Sequence, residues 1–212
     1  MNWWMEPKEG FEARGKVVVV GSGAGGALAA ITLAEAGLDV IVLEAGYRHQ
    51  APDFPENVAG AVGQLFAEGG FRTMSGAPPM PLAGGEALGG STVVNSAISF
   101  RTPEKILQEW NDLSGGVFSD TADYYRAMDE VEAELQVGTT PEHLLSGLDK
   151  VHKEAAGSLG WSNHHFRRNT PTCVGCGRCN TGCVVGGKNS VDRAFLPRAA
   201  DAGARIYTGC QV

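Results

Sequence analysis

Two short apolar runs flank a segment of helical period near the start of the chain. In KVVVVG, Lys16 to Gly21, an unbroken valine run has polar flanks, as expected of a strand buried on both faces of a parallel sheet. GALAAITLAEAG then sets Leu28, Ile31 and Leu33 among alanines and stops at Gly37, which predicts a helix with a C-terminal glycine. DVIVLEAG reads as a second buried strand, ending at Glu44. Together these predict a β-α-β unit and an α/β fold.

Prolines interrupt the pattern between residues 47 and 100, at Pro52, Pro55, Pro78, Pro79 and Pro81, and leave room for one short helix from Asn57 to Glu68. Thr102 followed by Pro103 predicts an N-cap and first helical position, after which Ile106, Leu107, Trp110 and Leu113 share a face. Tyr124, Met128, Val131 and Leu135 form a second stripe. Thr140 and Pro141 open a third helix, carrying Leu144, Leu148, Val151, Ala155 and Leu159. All three stripes are expected to face a core. A helical stretch within residues 190–202 is interrupted at Pro197 and ended by Gly203, and ARIYTG then forms a strand that rejoins the sheet over residues 204–208. The predicted organisation is an N-terminal extension (1–15) and a nucleotide-binding domain (16–212), with 47–203 as a largely helical insertion between the second and third strands. Such sheets normally continue through at least two more strands, so the chain is expected to be the N-terminal portion of a longer fold.

Composition narrows the class. With 212 residues, 43% of them hydrophobic and 19% charged, the chain can bury a core of one large domain or one and a half. A net charge of −7 argues against nucleic acid as a partner. The basic cluster of His164, His165, Arg167 and Arg168 is expected to be solvated loop. No segment approaches the roughly 18 apolar residues of a membrane span, and the N-terminus lacks a signal-peptide core, so the cytoplasm is the expected compartment. Four of the five cysteines are crowded together, unlike a secreted disulfide framework. The 30 glycines gather around residues 21–26, 84–90 and 175–187, where backbone is expected to be held close to something.

GSGAGG supplies Gly21, Gly23 and Gly26 in the GxGxxG spacing, with Ser22, Ala24 and Gly25 between them. The first glycine turns the chain, the second admits a pyrophosphate, and the third lets helix and strand pack closely. Helix amides then face the anion. Glu44, at the end of the second strand, can accept hydrogen bonds from both ribose hydroxyls. In a plain NAD fold the third strand would follow within about one more βα unit. Here ARIYTG is far downstream, and a long excursion between strands suits a flavin, which must be carried off and enclosed. In GGEALGGSTVVNSAISFR, Gly89 and Gly90 permit close approach, Ser91, Thr92 and Asn95 offer short polar groups, and Arg101 follows. The bland alternative is a tight glycine-rich loop beneath a helix.

VVVVGSGAGGALAAITLAEAGLDVIVLEAG followed by GGEALGGSTVVNSAISFRTP resembles the N-terminal half of the glucose–methanol–choline (GMC) oxidoreductase family, and the resemblance runs from Lys16 to Val212. It implies FAD as cofactor. By resemblance, Gly21 to Gly26 and Glu44, Ala45 and Gly46 hold the ADP half. Leu88, Gly89, Gly90, Ser91, Thr92, Asn95, Ser96 and Ala97 would lie against the pyrophosphate and flavin, and Val212 would contact adenine through its backbone. The implied reaction is oxidation of a small-molecule alcohol: a base removes the hydroxyl proton and hydride passes from carbon to flavin N5. The CxxCGxCxxGC run followed by FLPRAADAGARI is similar to a branch with long-chain alcohol oxidases and sterol-type dehydrogenases. The family's catalytic His, with a second His or Asn, lies in its C-terminal half. None of His49, His143, His152, His164 or His165 sits in the matching motif, so no base is assigned, and most are expected at the surface or as caps.

Cys173, Cys176, Cys179 and Cys183 have the spacing C-x2-C-x2-C-x3-C of a ferredoxin run, except that Val184 stands where proline is usual. Soft thiolates so spaced suit an iron–sulfur cluster or zinc. In two-cluster ferredoxins, however, the fourth cysteine serves a second cluster, and no second run is present. Three readings stay open: a metal-free loop beside the flavin, an iron–sulfur cluster, and zinc. Cys210 is expected to be a small buried residue. For function, the alternatives to alcohol oxidation are a flavin and iron–sulfur electron-transfer dehydrogenase and a non-catalytic nucleotide-binding module.

Overall fold

The structure, a computed structural model, describes residues 3–7, 10–51, 53–118 and 120–212. The opening unit forms as its pattern predicts: β1 (Val17–Val20), α1 (Ala24–Glu35) and β2 (Val40–Leu43). β1 and β2 run parallel, with Val17 opposite Val40 and Val20 opposite Leu43. Gly37 takes a φ of +80°, a left-handed turn open to glycine, and so ends α1. β2 is buried, but the expected burial of β1 on both faces is not found. Val17 and Val19 turn inward, while Val18 and Val20 are 52% and 63% exposed. The reason is that α1 packs on one face of β1 and β2, and the other face of β1 meets solvent.

The next helix, α2 (Val58–Leu65), is shorter than expected. Asn57 caps it by accepting from the Gly60 amide at 2.7 Å, and the extended backbone of Phe66 ends it, with positive φ at Glu68 and Gly69 just beyond. A two-residue antiparallel pair follows, β3 (Thr73–Met74) with β4 (Met80–Pro81). The chain forms two compact units: residues 98–171, and the remainder on either side of them.

The unit of residues 98–171 holds α3 (Glu104–Leu113), α4 (Thr121–Glu134), β5 (Gly138–Thr139), α5 (Gly147–Ser158) and β6 (Arg167–Arg168). Pro103 is the N-cap of α3 rather than its first helical residue, and the Thr102 hydroxyl pairs with the Tyr124 hydroxyl at 3.0 Å instead of capping. α5 begins at Ser146, through a reciprocal capping box with Asp149, and not at Thr140–Pro141. The core-facing stripes are corrected here. Leu107 is fully buried, but Trp110, Leu113, Leu148, Val151 and Leu159 are exposed, because α3, α4 and α5 do not pack lengthwise on one another. Tyr124, Met128, Val131 and Leu135 are half-buried and line an open groove of about 370 Å³.

The basic cluster is also more ordered than a solvated loop. Arg167 and Arg168 form β6, which pairs antiparallel with β5. The Arg167 guanidinium grips both oxygens of Glu132, at 2.7 and 2.8 Å, and Arg101 donates to the same carboxylate at 2.6 Å. These bonds, Arg101 first, hold the Glu132 carboxyl down at about 2, against an ordinary 4.5. Its ion-pair contribution is therefore complete above pH 4.5 and is lost as pH falls through about 2. Glu132→Gln should flatten the acid-induced loss of near-ultraviolet circular dichroism from the tyrosines of α4 across that window. An acid profile identical to wild type would contradict the assignment.

The chain then returns to the first unit through α6 (Val191–Ala194), α7 (Leu196–Asp201) and β7 (Arg205–Tyr207). Pro197 sits in the first turn of α7, where its missing N–H costs nothing, and Gly203 ends the helix with φ +104°. β7 pairs parallel with β2, giving the order β1-β2-β7. Met5 lies along the outer edge of β7: its amide donates to the Ile206 carbonyl at 2.8 Å, and its carbonyl accepts from the Thr208 amide at 2.9 Å. The core combines Ala27, Ala30, Ile31 and Ala34 of α1 with β2, Leu196, Ala199 and Ile206. Among the described residues no helix is long and apolar enough to cross a membrane.

Candidate functional site

The GxGxxG turn joins β1 to α1 with a geometry that only glycine allows at two points. Gly21 has φ +85°, and a Cβ on Gly26 would lie 2.0 Å from the Gly21 carbonyl oxygen. α1 starts with Gly23 as N-cap, without a side-chain cap and without an acidic residue in its first turn. Its leading amides therefore lack intrahelical acceptors, and no acidic side chain of its own first turn offsets the positive end of the helix dipole. A Cβ on Gly23 or Gly25 would meet nothing within 4 Å, so open space lies before these amides.

The second glycine bend is brought directly onto the first. Gly89 and Gly90 have φ +100° and +55°, and a Cβ on Gly90 would sit 2.9 Å from the Gly23 Cα. The Gly89 amide donates to Ser22 Oγ at 2.9 Å, and Ser22 Oγ donates to Glu44 Oε2 at 2.6 Å. Glu44, 6% exposed, also accepts from the Ser22 amide at 2.8 Å and, on Oε1, from the Gly46 amide at 2.9 Å. Its Oε1 thus retains acceptor capacity, while Oε2 is committed to the loop. Close contact extends along the bend: a Cβ on Gly46 would lie 2.3 Å from the Ala87 nitrogen, and Leu88 is buried with its amide on the Tyr47 carbonyl.

Local bonds fix the rest of the segment. Thr92 Oγ1 donates to the Gly89 carbonyl at 2.6 Å, Ser91 Oγ accepts from the Gly85 amide at 3.0 Å, and Asn95 Oδ1 accepts from the Ala97 amide at 3.0 Å. Val212 is exposed and lies just past Cys210, whose amide donates to the Glu44 carbonyl at 2.8 Å. Cys210 is half-buried rather than buried, and desolvation pushes its thiol up. Gly21 to Gly26, Glu44 to Gly46 and Leu88 to Thr92 are thus brought against one another.

The cysteine run is placed differently from a ligand set. None of the four cysteines is in a disulfide, Cys176 is exposed, and among the described residues no three His, Cys, Asp or Glu side chains are gathered to hold a metal. The run is instead packed into the first unit. A Cβ on Gly182 would lie 2.3 Å from the Phe54 ring, and Arg178 donates to the Pro55 carbonyl. Two buried charges here escaped the sequence reasoning. Lys188 is 1% exposed, and Asp192, 6% exposed, lies against Gly89 and accepts from Ser190 Oγ; burial raises the Asp192 carboxyl, opposed by that bond. The available signal was a lysine set directly after two glycines, in GGKNS.

Comparisons with known proteins agree with this geometry. A family model described as GMC oxidoreductase matches residues 62–212, and one described as FAD binding domain matches residues 16–67. An uncharacterized GMC-type oxidoreductase of Mycobacterium tuberculosis is 39% identical over 200 residues, covering 94% of this chain and 32% of that protein. A long-chain-alcohol oxidase of Arabidopsis thaliana is also 39% identical over 200 residues, covering 94% of this chain and 26% of its own length. The crystal structure of pyridoxine 4-oxidase from Mesorbium loti shares the fold, with a TM-score of 0.62 at 21% identity over 92% of this chain and 42% of that one. The chain thus spans a third or less of the curated relatives just named.

Proposed function

The chain belongs to the GMC oxidoreductase family, and on that premise we propose that it forms the FAD-holding part of an enzyme that oxidises an alcohol to a carbonyl compound. Its cofactor is FAD. The observation that carries the reading is the contact between the two glycine bends, so close that a Cβ on Gly90 would strike the Gly23 backbone. The free amides at the start of α1 would bind the diphosphate, with Gly23 and Gly25 leaving room for it. Glu44 Oε1 would accept from a ribose hydroxyl, the backbone at Val212 would meet adenine, and Gly89 to Ala97 would lie along the flavin. When bound, FAD supplies the hydride acceptor. The chain's own work is to bind, orient and shield. An alcohol donor is favoured by the relatives named long-chain-alcohol oxidases.

We assign no proton-accepting base to this chain, so the 212 residues alone, supplied with FAD, should turn over no alcohol. A longer protein that carries them should be yellow and should bleach under argon when an alcohol is added. Turnover by the 212-residue chain would overturn the first expectation. A yellow protein that no primary or secondary alcohol bleaches would overturn the second. With four of the five cysteines crowded between positions 173 and 183 and no disulfide among the described residues, we place the protein in the cytoplasm.

A further inference from the structure

Among the described residues, Lys188 is the most completely buried charged side chain, and its ammonium ends among main-chain carbonyls. Nζ donates to the Val93 carbonyl at 2.7 Å, to the Asn95 carbonyl at 3.0 Å and to the Cys179 carbonyl at 2.9 Å. Three acceptors match the three N–H bonds of an ammonium. Two of them belong to the segment that follows the Gly89–Gly90 bend, and the third belongs to the cysteine run. A second tie joins the same pieces: Ser96 Oγ donates to Asn180 Oδ1 at 3.0 Å.

Both sides of this joint are anchored in the core, where Val93 and Val94 pack with Phe54, but the second side ends in a strained residue. On the cysteine side, Gly182 is pressed against Phe54, and Arg178 is bonded to the Pro55 carbonyl. The Gly187 amide donates to Cys183 Sγ at 3.1 Å, and a Cβ on Gly187 would lie 2.8 Å from the Thr172 carbonyl oxygen. On the other side, residues 93–97 end in Ala97, which takes φ +61°. That conformation is strained for a residue with a Cβ and persists only where its surroundings impose it. Within the segment the Ala97 amide rests on Asn95 Oδ1, and Lys188 and Asn180 add their bonds from outside.

We propose that Lys188 is a positioning residue for the flavin: it bolts residues 93–97 onto the cysteine run, whose role is to brace that segment. The inference rests on the reading that Gly89 to Ala97 lies along the flavin. It explains why a lysine occupies a place with almost no access to water, since an apolar side chain there would leave three carbonyls without this donor. It also gives the cysteine run a role for which no bound metal is needed.

The test titrates FAD into the wild-type chain and into Lys188→Ala, and records the visible circular dichroism of the bound flavin. The variant should bind FAD at least ~10-fold more weakly, with an altered flavin spectrum. n-Propylammonium, which is the detached end of the lysine side chain, should restore both, and tetramethylammonium, which has no N–H to donate, should restore neither. A variant equal to wild type, or equal effects of the two cations, overturns the proposal. If Lys188→Ala loses cooperative unfolding, Asn180→Ala serves instead, since it removes only the exposed tie to Ser96. A smaller change in the flavin spectrum supports the brace, and an unchanged spectrum overturns it. Wild type that fails to hold FAD defeats the functional reading and this one together; wild type that holds FAD beside unaffected variants defeats this one alone.

Discussion

Gly26→Ala should abolish FAD binding and strip the chain of much of its stability. The added methyl would fall 2.0 Å from the Gly21 carbonyl oxygen, 3.0 Å from its carbon and 3.3 Å from Val19 Cγ1. The first two obstacles are backbone, so no rotamer change relieves them, and α1 must move off β1. That movement pulls Ala27 and Ala30, both 0% exposed, away from the sheet. A loss of about 3 kcal/mol or more is expected, together with at least ~100-fold weaker FAD binding. Urea denaturation and quenching of FAD fluorescence measure the two. Gly25→Ala provides the contrast, because its methyl meets nothing within 4 Å. The fold should survive it unchanged or gain about 1 kcal/mol of helix propensity, and any loss of FAD affinity would then locate the diphosphate before α1. Gly26→Ala binding FAD as wild type does would sink this expectation.

Ser22→Ala should be the second most damaging change. Ser22 is fully buried, and its hydroxyl at once donates to Glu44 and accepts from Gly89. Removing it takes a charge-assisted bond from a buried carboxylate and strands a buried amide, a combined cost of about 2 to 4 kcal/mol. It also uncouples the two glycine bends, so FAD affinity should fall with stability. Ser91→Ala, whose hydroxyl accepts only the more exposed Gly85 amide, should cost about 1 kcal/mol or less. A denaturation midpoint for Ser22→Ala within error of that for Ser91→Ala would remove the bridge from the argument.

The β-α-β unit was legible because its constraints are local. Gly21 and Gly26 are demanded by a turn six residues long, and the valine runs pair within a short stretch of chain. The parallel strand at residues 205–207 was legible too, since β-branched and aromatic residues after a helix-ending glycine admit few alternatives. The apolar stripes of α3 and α5 misled because periodicity reveals that a face is apolar and not what covers it, and Leu113 and Val151 are uncovered. Val18 and Val20 misled for the same reason. Within the site, the glycines were readable but the Ser22 bridge was not, because a serine between two glycines carries no trace of a partner 67 residues away. Cysteine spacing drew attention to sulfur, whereas the run reaches residues 93–96 through the Asn180 side-chain amide directly and through the Cys179 carbonyl by way of Lys188.

The place of Met5 has a consequence for how the molecule is made. Its two backbone bonds reach Ile206 and Thr208, so this rim of the sheet joins segments that lie about 200 residues apart in the sequence. During synthesis Met5 leaves the ribosome long before its companions exist, and a pairing of such sequence separation closes late. Trp3 and Trp4, which flank the Arg48 guanidinium at 5.1 and 4.0 Å, give that late event a fluorescent reporter. In refolding experiments their emission should settle after the helical signal has already recovered.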